Sequence, residues 1–94
     1  MLEDVLGCKW TLRVLGCIRA GTFRPGAIEA RLAGLTTKVL NERLRKLVRF
    51  GILQRTAYPE VPPRVEYRLT SLGRRFVRLL DQLDELQAEL ERAS

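Results

Sequence analysis

Ninety-four residues with 17 Lys plus Arg against 11 Asp plus Glu, no histidine and 46% hydrophobic residues describe one small domain, since a chain of this size buries roughly 60 to 68% of its unfolded surface and so builds a modest core. The missing histidine removes Ser-His-Asp and Cys-His catalytic arrangements and His-containing zinc sites. No metal-ligand cluster, glycine-rich phosphate loop or paired-carboxylate cleft stands in their place, so the expectation is a protein that is not an enzyme and needs no metal or cofactor.

No apolar run approaches the roughly 18 residues of a membrane span, and Met1-Leu2-Glu3-Asp4 is acidic where a signal peptide is basic. A cytoplasmic protein without a membrane partner is expected. Cys8 and Cys17 suit neither a disulfide framework nor a CxxC site and read as reduced thiols. Charge is unevenly placed: residues 1–80 hold 16 basic and 6 acidic side chains, and residues 81–94 hold 1 and 5. A basic body followed by an acidic tail points to a polyanionic partner, of which nucleic acid is the commonest.

From Lys9 to Ala20 the residues Trp10, Leu12, Val14, Leu15, Cys17 and Ile18 predict a helix that is apolar nearly all round, ended by Gly21. Pro25 fits the first turn of a second helix, whose short apolar face is Ile28, Leu32 and Leu35. Thr36 caps a third, in which Leu40, Leu44, Leu47 and Val48 form the amphipathic stripe up to Gly51. Two such helices across a glycine-containing turn read as a helix-turn-helix or as a helical hairpin that binds nothing.

Ile52 to Tyr58 is rich in strand formers, Pro59-Glu60-Val61-Pro62-Pro63 cannot continue a ladder, and Arg64 to Leu69 alternates, with Val65, Tyr67 and Leu69 predicted inward and Arg64, Glu66 and Arg68 outward. A hairpin directly after a helix-turn-helix is a winged-helix arrangement. Thr70-Ser71 then caps a long helix in which Leu72, Phe76, Leu79, Leu83, Leu86 and Leu90 alternate spacings of four and three, a heptad seam. The predicted fold is α+β and mostly helical: one winged helix-turn-helix domain over 1–94, with the helix-turn-helix at about 22–50, a two-stranded wing at 52–70 and a C-terminal dimerisation helix at 71–92.

The stretches Lys9-Trp10-Thr11-Leu12, Gly34-Leu35-Thr36-Thr37-Lys38-Val39-Leu40-Asn41-Glu42-Arg43-Leu44 and Tyr58-Pro59-Glu60-Val61-Pro62-Pro63-Arg64-Val65-Glu66-Tyr67, with Leu69-Thr70 and Gly73, resemble the HxlR-type winged helix-turn-helix transcriptional regulators. The resemblance covers roughly residues 9–80. It implies a prokaryotic homodimer that binds DNA, pairs through its N- and C-terminal helices and has no separate ligand-binding domain. Two positions depart from the family pattern. Pro25 follows Arg24 where an aromatic is usual, and Cys8 lies immediately before Lys9 rather than in an N-terminal arm well ahead of the Lys-Trp pair, so redox sensing does not carry over to it.

The major groove admits one α-helix, and recognition helices read bases from their N-terminal half. Thr37, Lys38, Asn41, Glu42 and Arg45 are therefore the candidate readers, with the cap residue Thr36 beside them in the DNA-binding set, and Glu42 is better explained by exposed ion pairs with Lys38 and Lys46. Arg43, Lys46, Arg49, Thr22 and Arg24 are candidates for phosphate contact, and Arg64 is the wing candidate, with Arg55 and Arg68 on the same hairpin. Trp10 and Val14 of the first helix, together with Leu72, Phe76, Leu79, Leu83, Leu86 and Leu90, are the expected dimer interface. The leading expectation is thus a homodimeric regulator of double-stranded DNA on an inverted repeat, its effector not encoded in any motif. The alternatives are a winged-helix protein-interaction module, which the charged third helix disfavours, and a thiol switch through Cys8 or Cys17.

Overall fold

The computed structural model describes residues 9–93. Among the described residues, four helices and a two-stranded antiparallel sheet follow in the expected order: α1 (Lys9–Arg19), α2 (Pro25–Arg31), α3 (Thr37–Arg49), β1 (Leu53–Tyr58), β2 (Arg64–Leu69) and α4 (Ser71–Ala93). This is the α+β winged helix that the sequence predicts, with Pro25 at the start of α2. Cys8 lies outside the described residues. None of the described helices is long and apolar enough to cross a membrane.

One core joins the helices to the wing. Val14, Leu15 and Ile18 of α1, Ile28 of α2, Leu40, Leu44 and Leu47 of α3, Ile52, Leu53 and Tyr67 are all buried in it. Fully burying one such aliphatic side chain stabilises by about 1.5–3 kcal/mol, so the inward stripe of α3 is among the larger contributions to the fold.

α1 is less uniformly apolar in its surroundings than its sequence suggests. Thr11, Val14, Leu15 and Ile18 face the core, whereas Leu12, Arg13, Gly16 and Arg19 face out. The expectation that Val14 meets a partner subunit is therefore corrected. Its side chain is fully enclosed by the chain's own core and has no surface left to offer.

In the wing, Leu53 pairs with Leu69 and Tyr58 with Arg64. Tyr67 is buried and Val65 and Leu69 half-buried, as the alternation predicts. Glu66 departs from it: the residue expected to face solvent is 8% exposed. It does lie on the face opposite Tyr67, but Tyr58, Arg64 and Arg68 close over it there.

α4 is joined to the rest at its first turn. The Thr70 hydroxyl donates to the Gly51 carbonyl and accepts from the Gly73 N–H at 2.9 Å, and the Thr70 N–H donates to the Ile52 carbonyl at 3.1 Å. Gly73 sits so close to the link between α3 and β1 that a Cβ there would clash with the Ile52 carbonyl oxygen. Val77 is buried and Phe76 and Leu80 pack against the core, and an Arg19–Asp81 ion pair ties α1 to the middle of α4. Both partners are well exposed, so this pair orients more than it stabilises. Beyond it the helix runs on past the globular part, and the molecule measures 54 × 29 × 23 Å.

Substituting Gly73 with Ala is expected to lower the unfolding free energy measured by urea titration by about 1–3 kcal/mol or more, because the carbonyl it meets is backbone and cannot step aside. Gly26→Ala, where nothing lies within 4 Å of the added carbon, should be neutral or stabilise by up to about 1 kcal/mol. Equal effects from the two would show that the close approach of α4 is not what holds it.

Candidate nucleic-acid interface

The candidate surface is built on α3 and the segments that aim it. Thr36 is the N-cap, its hydroxyl accepting from the Val39 N–H at 3.2 Å, so the helix begins where the sequence places its cap. With Leu40, Leu44 and Leu47 turned inward, Thr37, Lys38, Asn41, Glu42, Arg45 and Arg49 are turned out together and are exposed. Arg43 and Lys46 occupy the flanks and are half-buried.

One hydrogen bond and the turn between them set α3 relative to α2. The Thr37 hydroxyl donates to the Glu29 carboxylate. Between the helices Gly34 takes φ +89°, a backbone conformation that side-chain-bearing residues rarely adopt, and the Trp10 ring lies 3.8 Å from where its Cβ would stand. Trp10, expected at a dimer interface, is half-buried with its ring beside the turn at Gly34, and the Arg13 guanidinium lies 5.2 Å from its ring centre.

The segment before α2 carries the wing. The Tyr67 N–H donates to the Phe23 carbonyl at 2.8 Å, and the Arg68 guanidinium lies 4.0 Å over the Phe23 ring. Thr22, expected to touch phosphate, is only 9% exposed, so this assignment is corrected. The turn after α1 folds it inward, where its N–H donates to the Cys17 carbonyl at 2.9 Å. Arg24, two residues on, is exposed at the N-cap of α2 and beside the wing residues Glu60 to Val65.

Arg64, the wing candidate, is partnered rather than free. Its Nη2 is 3.1 Å from Glu60, its Nε is 4.0 Å from Glu66, and its guanidinium lies 4.0 Å over the Tyr58 ring. Arg68 Nη2 donates to Glu66 at 3.1 Å and the Tyr58 hydroxyl donates to the same carboxylate oxygen at 3.2 Å. The Arg68 hydrogen bond, helped by Tyr58 and by the charges of Arg68 and Arg64, holds the Glu66 carboxyl below the usual carboxylate range against the opposing effect of burial. Arg55 is exposed on β1.

Among the described residues no group of three or more His, Cys, Asp or Glu is placed to hold a metal ion. Cys17 is a free, half-buried thiol on α1.

Glu29, Phe23 and Glu66 are contributors that the reading of the sequence leaves without a role. The alternation of β2 carries a signal for Glu66, an acid between two arginines on one face of a strand. Glu29 and Phe23 act through contacts distant in sequence and carry none.

This arrangement has known relatives, and the profile of the HxlR-like helix-turn-helix family matches residues 5–93. The chain belongs to that family. An HTH-type transcriptional regulator of Synechocystis sp. is 42% identical over 86 residues, which are 92% of this chain and 64% of the relative, so the chain spans under two thirds of that protein's length. A structure assigned to the MarR family of transcriptional regulators, from Enterococcus faecalis V583, superposes with a TM-score of 0.88 at 32% identity, covering 96% of this chain and 82% of the other. The reduced form of HypR, described as a redox regulator, gives a TM-score of 0.81 at 31% identity, covering 94% and 87%.

Because the folded-state pKa of Glu66 lies below its unfolded value, its contribution to stability is complete above the ordinary carboxylate range and drains away as pH falls through that range toward the depressed value. Glu66→Gln is expected to be less stable than the unaltered chain at neutral pH and to lose less on acidification. Thermal unfolding of both between neutral pH and about pH 3, below the unperturbed Glu value of about 4.3, measures the difference. Parallel pH profiles would count against the clamp.

Proposed function

We propose that the chain is a transcriptional regulator that binds double-stranded DNA as a homodimer, inserting α3 into the major groove and laying the wing beside it. The observation that carries this reading is the outward face of α3, on which Thr37, Lys38, Asn41, Arg45 and Arg49 are exposed together without a large exposed apolar residue among them. A helix that docks on a protein partner presents an apolar stripe there instead. In this reading Thr37, Lys38, Asn41 and Arg45 face the bases, Asn41 and Arg45 being of the kind that pair with adenine N6/N7 and guanine O6/N7, and Arg24 and Arg49 contact phosphate with Thr36, Arg43 and Lys46 at the margins.

The dimer reading rests on α4. Leu72, Leu79, Leu83, Leu86 and Leu90 are 45–62% exposed and follow one heptad seam with Phe76, and Leu12 of α1, at 38%, borders the groove between the two helices. Five exposed leucines in line form the kind of patch that a partner covers. A two-fold axis through this seam sets the two α3 helices into successive major grooves, about 34–36 Å apart, on an inverted repeat. Cys17 sits as a small hydrophobe does, so the reading assigns it no sensing role.

Selection of bound duplexes from a random pool is expected to enrich an inverted repeat, and failure to enrich any sequence would transfer the reading to an interaction module. Binding should weaken steeply with salt, each neutralised phosphate adding about −0.9 to the slope of log K against log salt. Asn41→Ala should relax preference at one position of each half-site, by about 1–3 kcal/mol of discrimination. Replacing Leu83 and Leu86 with Lys should give folded monomers by equilibrium sedimentation that bind the full site far more weakly, and an unaltered chain that is monomeric at micromolar concentration with full affinity for a half-site would exclude the dimer.

A further inference from the structure

The wing holds an asymmetry that DNA binding by itself does not explain. Its two glutamates partner the same arginine from very different surroundings: the Glu66 side chain is 11% exposed and the Glu60 side chain 49%, with Arg64 between them at 28%. We propose that Glu66 is the positioning residue of the wing, and that Glu60 is a displaceable counter-ion whose place on Arg64 a DNA phosphate takes. The inference rests on the DNA-binding reading given above.

The geometry around Arg64 supports a two-sided role. Its guanidinium lies over the Tyr58 ring, whose hydroxyl donates to Glu66, so ring and carboxylate define the plane and one edge of the position it occupies. On that edge the Nε is buried and has no hydrogen-bond partner, at 4.0 Å from Glu66, a charge contact just too long for a hydrogen bond. The Nη2 on the other edge is drawn 3.1 Å from Glu60. A short slide of the guanidinium over the ring closes the Nε bond to Glu66 and leaves the Nη groups to the solvent side. A phosphate binds Arg in this way, through paired N–H donors.

Glu60 is placed to yield. It belongs to the exposed turn between the strands, next to Val61, which is fully exposed. Its pair with Arg64 is an i, i+4 surface contact of the kind that contributes little and is readily exchanged. Glu66 cannot yield in the same way, being also held by Arg68 and Tyr58. In the free protein Glu60 therefore lowers the positive potential of the wing tip. Only a ligand that brings a competing anion to that tip recovers the charge of Arg64.

The test is a double-mutant cycle on the full chain, with Glu60→Gln, Arg64→Ala and the double variant titrated by fluorescence anisotropy against a labelled mixed-sequence duplex at several salt concentrations. Glu60→Gln is expected to bind about two- to fivefold more tightly per wing, and the gain should vanish when Arg64 is Ala. Glu66→Gln should weaken binding and flatten the salt slope by up to about 1 as Arg64 loses its orientation, a change in slope that lowered stability alone does not produce while the chain remains folded. No tightening by Glu60→Gln, or an equal tightening in the Arg64→Ala background, would overturn the proposal, the latter showing only a general effect of removing a negative charge. If the unaltered chain binds no duplex at all, the DNA-binding reading falls and takes this inference with it. Binding with a flat response to Glu60→Gln removes the inference alone.

Discussion

Burial of Leu40, Leu44 and Leu47 along one side of α3 is the constraint on which the rest of the structure depends. Residues at those spacings share a helix face, so once they enter the core the opposite face is determined without further choice. The polar residues that end up outside are then presented by a rigid element, capped at Thr36 and set against α2 by the Thr37–Glu29 hydrogen bond. A polar face presented this way is rigid without any loop having to become ordered.

The wing depends on the same core at one remove. A two-stranded hairpin is marginally stable by itself, and here it is held by the Phe23 carbonyl, by the burial of Leu53 and Tyr67, and by the charge cluster around Glu66. These contacts do different work. Apolar burial sets how deep the hairpin sits, whereas the hydrogen bond to Phe23 sets its register relative to the start of α2. Glu66 then converts a row of arginines that would repel one another into a connected surface, in which each charge has a defined neighbour.

α4 links this surface to assembly. Its first turn is locked to the end of α3 and the start of β1 through Thr70 and the close approach of Gly73. A partner gripping the exposed leucines would therefore be coupled to the reading helix through stiff contacts. The acidic residues Glu85, Glu89 and Glu91 lie toward the end of α4, beyond the groove that α4 forms with α1, which keeps their field from opposing that of the basic body.

Much of this was legible in the sequence, because helical periodicity and turn chemistry are local. The apolar stripe of α3, Pro25 at the start of α2, the Thr36 cap, the ends of β2 and the heptad seam all follow from spacing and residue type, and they place Thr37, Lys38, Asn41, Arg45 and Arg49 on one exposed face before any coordinate is seen. Periodicity gives the face a residue lies on, but not what covers that face. Val14 and Thr22 therefore proved to be enclosed, Trp10 turned toward Gly34, and Glu66 disappeared beneath the arginines expected to flank it in solvent. Those outcomes depend on which elements the chain brings together across tens of residues. Only the tertiary structure decides that, since the energy of a buried side chain or a shared carboxylate belongs to the contact and not to either segment alone.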